Sequence, residues 1–285
     1  QANHFVGLGF IIGNYTYLCV ICFNMPREKG TRNGKLKIRG GKEVVEEVTD
    51  YSPKRYIAPN PIKTQIKLNQ LPWTEKQKEF FKIALHPSTK VVFVNGPAGT
   101  SKTLLSVYCA LQMLNMKTIN NILYLRSAVE SSANSLGFLP GSAEEKLKFY
   151  NLPFLDKLDE LLTTVKPEKL VEQDRVSMFP VNFARGMNWQ AKAVILDEAQ
   201  NSTAKEIITV LTRLGEGSKA FVLSDPMQTD LKNPNHIGGC QSLISSMFSD
   251  DEYLDHGVYY FEFDEEDIMR SELVKFLVRK FRDIE

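Results

Sequence analysis

From Trp73 onward, apolar positions alternate between two patterns. One is the short continuous run of a strand buried on both faces, and the other is the three-to-four spacing of an amphipathic helix. Val91-Val92-Phe93-Val94 is a run of the first kind, and Leu104 to Leu114 follows it with helical spacing. Asn121 to Leu125 predicts a second strand, residues 143–165 a helix, and Ala193 to Leu196 a third strand. Lys205 to Leu214 predicts a helix, Ala220 to Leu223 a fourth strand, Gly257 to Phe263 a fifth, and Ile268 to Phe281 a closing helix. Ahead of them all, Thr74-Glu75-Lys76-Gln77 has the form of a capping box, followed by the apolar face of Phe80, Phe81, Ala84 and Leu85. Strands alternating with helices predict an α/β fold, its mainly parallel sheet covered by helices on both faces.

The first quarter of the chain reads differently. Phe5 to Phe23 carries no charge, but Gly7, Gly9, Gly13, Asn14 and Thr16 interrupt its apolar character. The chain opens with Gln1, and its first methionine is Met25. Residues 1–24 are therefore expected to be an apolar leader of untranslated upstream sequence; a membrane anchor and a folded element are the alternatives. Cys19 and Cys22 form a lone CxxC, which lacks the second pair a zinc site needs. Residues 25–72 are rich in basic residues, glycine and proline, and are expected to form a mobile basic arm. Residues 73–285 would then be a single domain.

Composition narrows the class only a little. A hydrophobic fraction of 43% supports a sizeable core, and a net charge of +1 neither favours nor excludes a polyanionic partner. Four cysteines do not make a disulfide scaffold, so a reducing, cytoplasmic setting is expected and no membrane partner.

The chemistry lies at the strand ends. Gly96-Pro97-Ala98-Gly99-Thr100-Ser101-Lys102-Thr103 follows the first strand and opens a helix, the setting that makes a glycine-rich loop a phosphate cradle. Glycines allow inward-pointing backbone N–H groups, and the helix N-terminus adds partial positive charge. Lys102 would reach the β- and γ-phosphates of ATP, and Thr103 would offer its hydroxyl to Mg²⁺. Ser101 stands where the motif has glycine. Asp197 and Glu198 end the third strand: Asp197 is the candidate Mg²⁺ ligand, and Glu198 would orient or deprotonate the attacking water. Gln228, beyond the fourth strand, is a candidate γ-phosphate sensor. Arg126, Arg185, Arg213 and Arg270 are candidates for the added positive charge that phosphoryl transfer requires. Gln77 reads either as the helix cap or as an adenine reader.

The stretches GPAGTSKT (96–103), LRSAVESSANSLGFLPGSAEEK (125–146), ARGMNWQAKAVILDEAQN (184–201), LTRLGEGSK (211–219), SDPMQTDL (224–231) and MRSELV (269–274) resemble the PhoH family, its short phage-type members in particular. DEAQN with DPMQ is similar to the motor motifs of superfamily 1 helicases. Ser101 and Ser224 depart from the family pattern, each at a position where glycine is usual. The resemblance implies one RecA-like ATPase lobe, often assembled as a homo-oligomeric ring, with RNA or single-stranded DNA as partner. A lone lobe would borrow its arginine finger from a neighbouring copy, with Arg213 or Arg270 the favoured residue. A slowly hydrolysing regulatory module that controls a protein partner is the alternative.

Overall fold

The structure, a computed structural model, describes residues 9–12, 15–18, 56–127, 143–225, 239–249 and 251–281. The chain divides into two units, residues 1–51 and 52–285. In the first, β1 (Gly9–Ile12) and β2 (Tyr15–Leu18) pair antiparallel, with Ile12 opposite Tyr15. The described part of the apolar leader is thus strand. Among the described residues no helix is long and apolar enough to cross a membrane. Cys19, Cys22 and Met25 lie outside the described residues.

The second unit is built on six strands: β3 (Val91–Asn95), β4 (Asn121–Arg126), β5 (Val176–Pro180), β6 (Lys192–Asp197), β7 (Lys219–Ser224) and β8 (Val258–Glu262). They form one sheet in the order β5-β4-β6-β7-β3-β8, every pairing parallel. The helices are α1 (Glu75–Leu85), α2 (Lys102–Asn115), α3 (Ala143–Leu161), α4 (Pro167–Glu172), α5 (Ala204–Leu211), α6 (Gly239–Met247), α7 (Glu252–Asp255) and α8 (Glu272–Phe281).

Successive side chains along a strand point to opposite faces, and the two cores divide accordingly. Val92, Val94, Ile122, Tyr124, Ile195 and Phe221 pack beneath α1, α2 and α3, against Phe80, Leu105, Leu111, Phe154 and Leu158. Phe93, Leu125, Val194 and Val222 face the other way, onto Ile207 and Val210 of α5 and Ile244 of α6. Both faces of the sheet are therefore dry, so its central strands are apolar throughout.

Three expectations need correction. The sheet has six strands, not five: β5 forms an edge, where Pro180 can sit without a backbone donor. The helix expected over 143–165 ends at Leu161, where the chain turns back to an isolated bridge between Leu162 and Leu68. Residues 56–72, expected to belong to a mobile arm, lie along the body. Ala58, Ile62 and Ile66 are buried, and the N–H groups of Ala58 and Asn69 donate to the carbonyls of Lys117 and Leu161. Spaced apolar side chains tie this segment down despite its prolines. Residues 25–55 of the expected arm lie outside the described residues.

Candidate active site

β3 ends at Asn95, and the chain wraps through Gly96 to Ser101 before α2 begins. Gly96 has φ +151°, and a Cβ there would come within 2.7 Å of the Phe263 carbonyl oxygen. Gly99 has φ +89°, with Arg270 Cγ only 3.0 Å from where its Cβ would lie. Inside the turn, the buried Thr100 hydroxyl donates to the Pro97 carbonyl at 2.9 Å. Ser101 adopts φ 65°, ψ 20°, the left-handed region, and its side chain makes no capping bond. That conformation is the physical reason glycine is usual at this position.

Lys102 is the first residue of α2. Its ammonium donates to the carbonyls of Gly96 at 2.6 Å and Pro97 at 3.0 Å, so it lies within the curl of the loop. Burial pushes its pKa down, against the pull of Asp225, Asp197 and Glu198. Thr103, one residue on, donates its hydroxyl to Asp197, 3.2 Å from Oδ1 and 3.1 Å from Oδ2. Asp197 also accepts from the Tyr124 hydroxyl at 2.8 Å and from the Glu198 N–H at 3.1 Å. Burial, and then Glu198, raise its pKa, while Tyr124, Arg126 and Thr103 oppose them. Thr103 and Asp197 are thus paired hard oxygen donors beside the glycine-rich loop. This donor set suits Mg²⁺, which takes few protein ligands and completes its octahedron with waters and substrate phosphates. Among the described residues no cluster of three or more His, Cys, Asp or Glu side chains offers an all-protein cage instead.

Glu198 follows in a left-handed turn, φ 54°, ψ 41°. Its Oε2 accepts from Gln200 Nε2 at 2.6 Å, and its Oε1 lies 3.8 Å from Arg126 Nη2. Gln200 Oε1 in turn accepts from the backbone N–H of Asp225, just past β7. Ser224 donates to Asn95 Oδ1 at 3.1 Å, and Asn95 donates to the Tyr260 hydroxyl. These bonds tie the ends of β7, β3 and β8 together, so the serine at a usual glycine position has work here.

A cavity of about 250 Å³ opens at the carboxyl ends of β3, β6 and β7. Lys102, Thr103, Asp197, Glu198 and Arg270 all line it, as do Gln200 and Lys157. Ligands of parallel sheets collect at this end. Arg270, one of the two residues favoured as a finger, lies in its own chain's cleft, where the turn after β8 lays it over Gly99. Arg213 sits at the opposite, amino-terminal end of β6 and β7, where its carbonyl accepts from Trp189; its Nε is buried without a partner. Arg185 is exposed, beyond the short 3-10 turn Val181–Ala184. Gln77 does not line the cavity; it is buried, and its side chain completes the cap on Thr74. Gln228 lies outside the described residues. Three residues lining the cleft, Gln200, Asp225 and Lys157, escaped sequence reasoning, as did the buried Tyr124 that bonds Asp197. Gln200 stood in view within DEAQN and Asp225 at a strand tip, whereas Tyr124 and Lys157 carried no local signal.

The family model described as PhoH-like protein matches residues 71–282. The chain belongs to the PhoH-like family. The PhoH-like protein of Bacillus subtilis is 35% identical over 208 residues, 73% of this chain and 62% of that one. The PhoH-like protein of Synechocystis is 35% identical over 209 residues, 73% and 61%. This chain thus spans about three-fifths of the length of the curated PhoH-like proteins it matches, and those relatives are bacterial. Among solved structures, the large terminase of a thermophilic bacteriophage aligns with TM-score 0.44 and 14% identity, covering 74% of this chain and 50% of that one. That likeness is too distant to bear on function. The parallel sheet, the glycine loop and the acids across from it give this PhoH-like chain the P-loop arrangement in its own right.

Proposed function

We propose that the cleft binds ATP with Mg²⁺ and hydrolyses it, and that hydrolysis is coupled to single-stranded RNA or DNA. The carrying observation is that Lys102, Thr103, Asp197, Glu198 and Arg270, distant in sequence, line one cleft at the carboxyl ends of parallel strands. The loop N–H groups, the N-terminus of α2 and Lys102 would bind the phosphates. Thr103 and Asp197 would hold Mg²⁺, which when bound neutralises charge on the β- and γ-phosphoryl oxygens. Glu198 orients the water and accepts its proton. Arg270 adds positive charge where the transferred group develops negative charge.

Coupling to nucleic acid is supported by the helicase-like DEAQN and DPMQ stretches and by the basic composition of residues 25–65. A homo-oligomeric ring would supply the second wall that a single lobe lacks. Arg270 lines its own cleft, so Arg213 is the arginine we assign to a neighbouring copy. The test is ATP turnover with and without single-stranded RNA or DNA, for the wild type and Lys102→Ala. Turnover by the wild type, stimulated by polymer and lost in the variant, is expected. Normal turnover by Lys102→Ala overturns the assignment, and absent stimulation with no salt-sensitive binding overturns the coupling.

A further inference from the structure

Glu198 is assigned to the attacking water, yet neither of its carboxylate oxygens is left to solvent alone. Gln200 donates to one at 2.6 Å, and Arg126 stands 3.8 Å from the other. The backbone of Glu198 lies in the left-handed region, outside the relaxed conformations of an L-residue. Its carboxylate is held by Gln200 and Arg126. Among the described residues Arg126 is its one ion-pair partner, and it comes from a different strand. Arg126 ends β4, in register with Asp197 on β6.

Two further features separate Arg126 from the nucleotide-holding residues. It does not line the cavity. Its side chain keeps 31% of its surface exposed, so an anion from outside can reach the guanidinium. The existing contact is a single long ion pair at partial exposure, a weak class of interaction. A phosphate diester meets a guanidinium with two parallel hydrogen bonds, a stronger class.

We propose that Arg126 is a positioning residue whose ion pair restrains Glu198, within the cleft, from engaging the attacking water, and that a backbone phosphate of single-stranded nucleic acid releases it by capturing the guanidinium. The inference rests on the ATPase reading above and deepens it: it names the residue through which polymer binding reaches the site.

The experiment compares the wild type, Arg126→Gln, Arg126→Lys and the double variant Arg126→Gln/Glu198→Gln, with and without single-stranded RNA, and with single-stranded DNA as a parallel arm. Thermal unfolding of each variant is followed alongside. Without polymer, Arg126→Gln should raise kcat by roughly two- to fivefold, the scale of one exposed ion pair. With Mg²⁺ saturating, its KM for ATP should not change, and polymer should add little more. Arg126→Lys keeps a charge within reach of Glu198 and should keep the low basal rate. The double variant should be inactive, because any gain must run through Glu198. A fall in basal kcat in Arg126→Gln overturns the proposal, since Arg126 would then be supporting the acids. Full stimulation of Arg126→Gln by polymer, or a rise in rate that survives loss of Glu198, overturns it as well. A wild type that turns over ATP but ignores both polymers overturns the release step, whereas a wild type that turns over no ATP overturns the ATPase reading itself.

Discussion

Replacing Ser101 with glycine isolates the backbone strain in the phosphate loop from everything else the loop does. The residue has φ 65°, ψ 20°, and its hydroxyl makes no capping bond, so the substitution removes a Cβ from a left-handed position together with a hydroxyl that caps nothing. For an L-residue that conformation costs roughly 1–2 kcal/mol relative to the right-handed one. Glycine adopts it freely but loses more backbone entropy on folding, about 0.5–1 kcal/mol. The net expectation is stabilisation by about 0.5–1 kcal/mol, which in a unit of this size raises Tm by roughly 1–4 °C. The backbone N–H at this position is kept, so affinity for ATP should hold or tighten. Ser101→Ala serves as the control: it retains the Cβ and loses only an idle hydroxyl, and should leave Tm where it was. Differential scanning calorimetry in the absence of nucleotide, paired with ATP titrations, reads both quantities. A drop in Tm for Ser101→Gly, or a rise in Ser101→Ala equal to that of glycine, would refute the strain argument.

Three further changes probe other joints of the site and core. Tyr124→Phe removes the hydroxyl bonded to Asp197 and keeps the ring stacked on Phe154; nucleotide binding should then need roughly tenfold more Mg²⁺, as loss of a ligand's supporting bond does elsewhere, with metal-free binding unchanged. An unaltered Mg²⁺ titration would show that Asp197 needs no such support. Lys219 is buried beneath α1, its ammonium donating to the Ala84 and His86 carbonyls, and burial lowers its pKa to about 8. Between that value and its unfolded pKa the unfolded chain binds more protons, so its contribution to stability rises with pH across that window. By linkage, the wild type should gain about 2 kcal/mol over Lys219→Met between roughly pH 7.5 and 9.5; parallel denaturation curves at the two pH values decide it, and parallel pH responses would count against it. Gly96→Ala forces a Cβ to within 2.7 Å of the Phe263 carbonyl oxygen at φ +151°, whereas Gly186→Ala, at φ +79°, meets nothing within 4 Å. Gly186→Ala should therefore cost only the left-handed penalty of about 1 kcal/mol, and Gly96→Ala clearly more; equal losses in urea unfolding would argue against a close approach at Gly96.

What could be read ahead of the structure follows from where each signal is stored. β3, β4, β6 and β7 are dry on both faces, and that dryness writes itself as continuous apolar runs. The Thr74–Gln77 box is a contact between residues three apart, so its letters lie side by side. β5 stayed hidden because an edge strand is covered less: Ser177 to Phe179 are only half-buried, and Pro180 reads as a break. The residues of the loop and of the Asp197–Glu198 pair are equally local. Tyr124 and Arg270 are not. Tyr124 reaches the site because β4 pairs with β6, and Arg270 because the turn after β8 folds across Gly99. Neither neighbourhood leaves a trace in spacing along the chain.

The strand order also explains how loop and acids, on strands that do not touch, serve one cleft. β7 lies between β3 and β6, which sets their ends roughly 10 Å apart. The first turn of α2 spans that gap by bringing Thr103 to Asp197. The tip of β7 is left in the middle, and there the N–H of Asp225 holds Gln200, which holds one oxygen of Glu198. Arg126 approaches the other oxygen from β4, on the far side of β6. Glu198 is thus gripped from both neighbours of its own strand. A shift at the end of β7, beside the cleft, would act on one oxygen, and a shift at the end of β4 on the other. In our reading of Glu198 as the catalytic carboxylate, the parallel order itself supplies two separate handles on a single group. One lies beside the cleft and the other at a partly exposed guanidinium, the arrangement the proposed coupling would use.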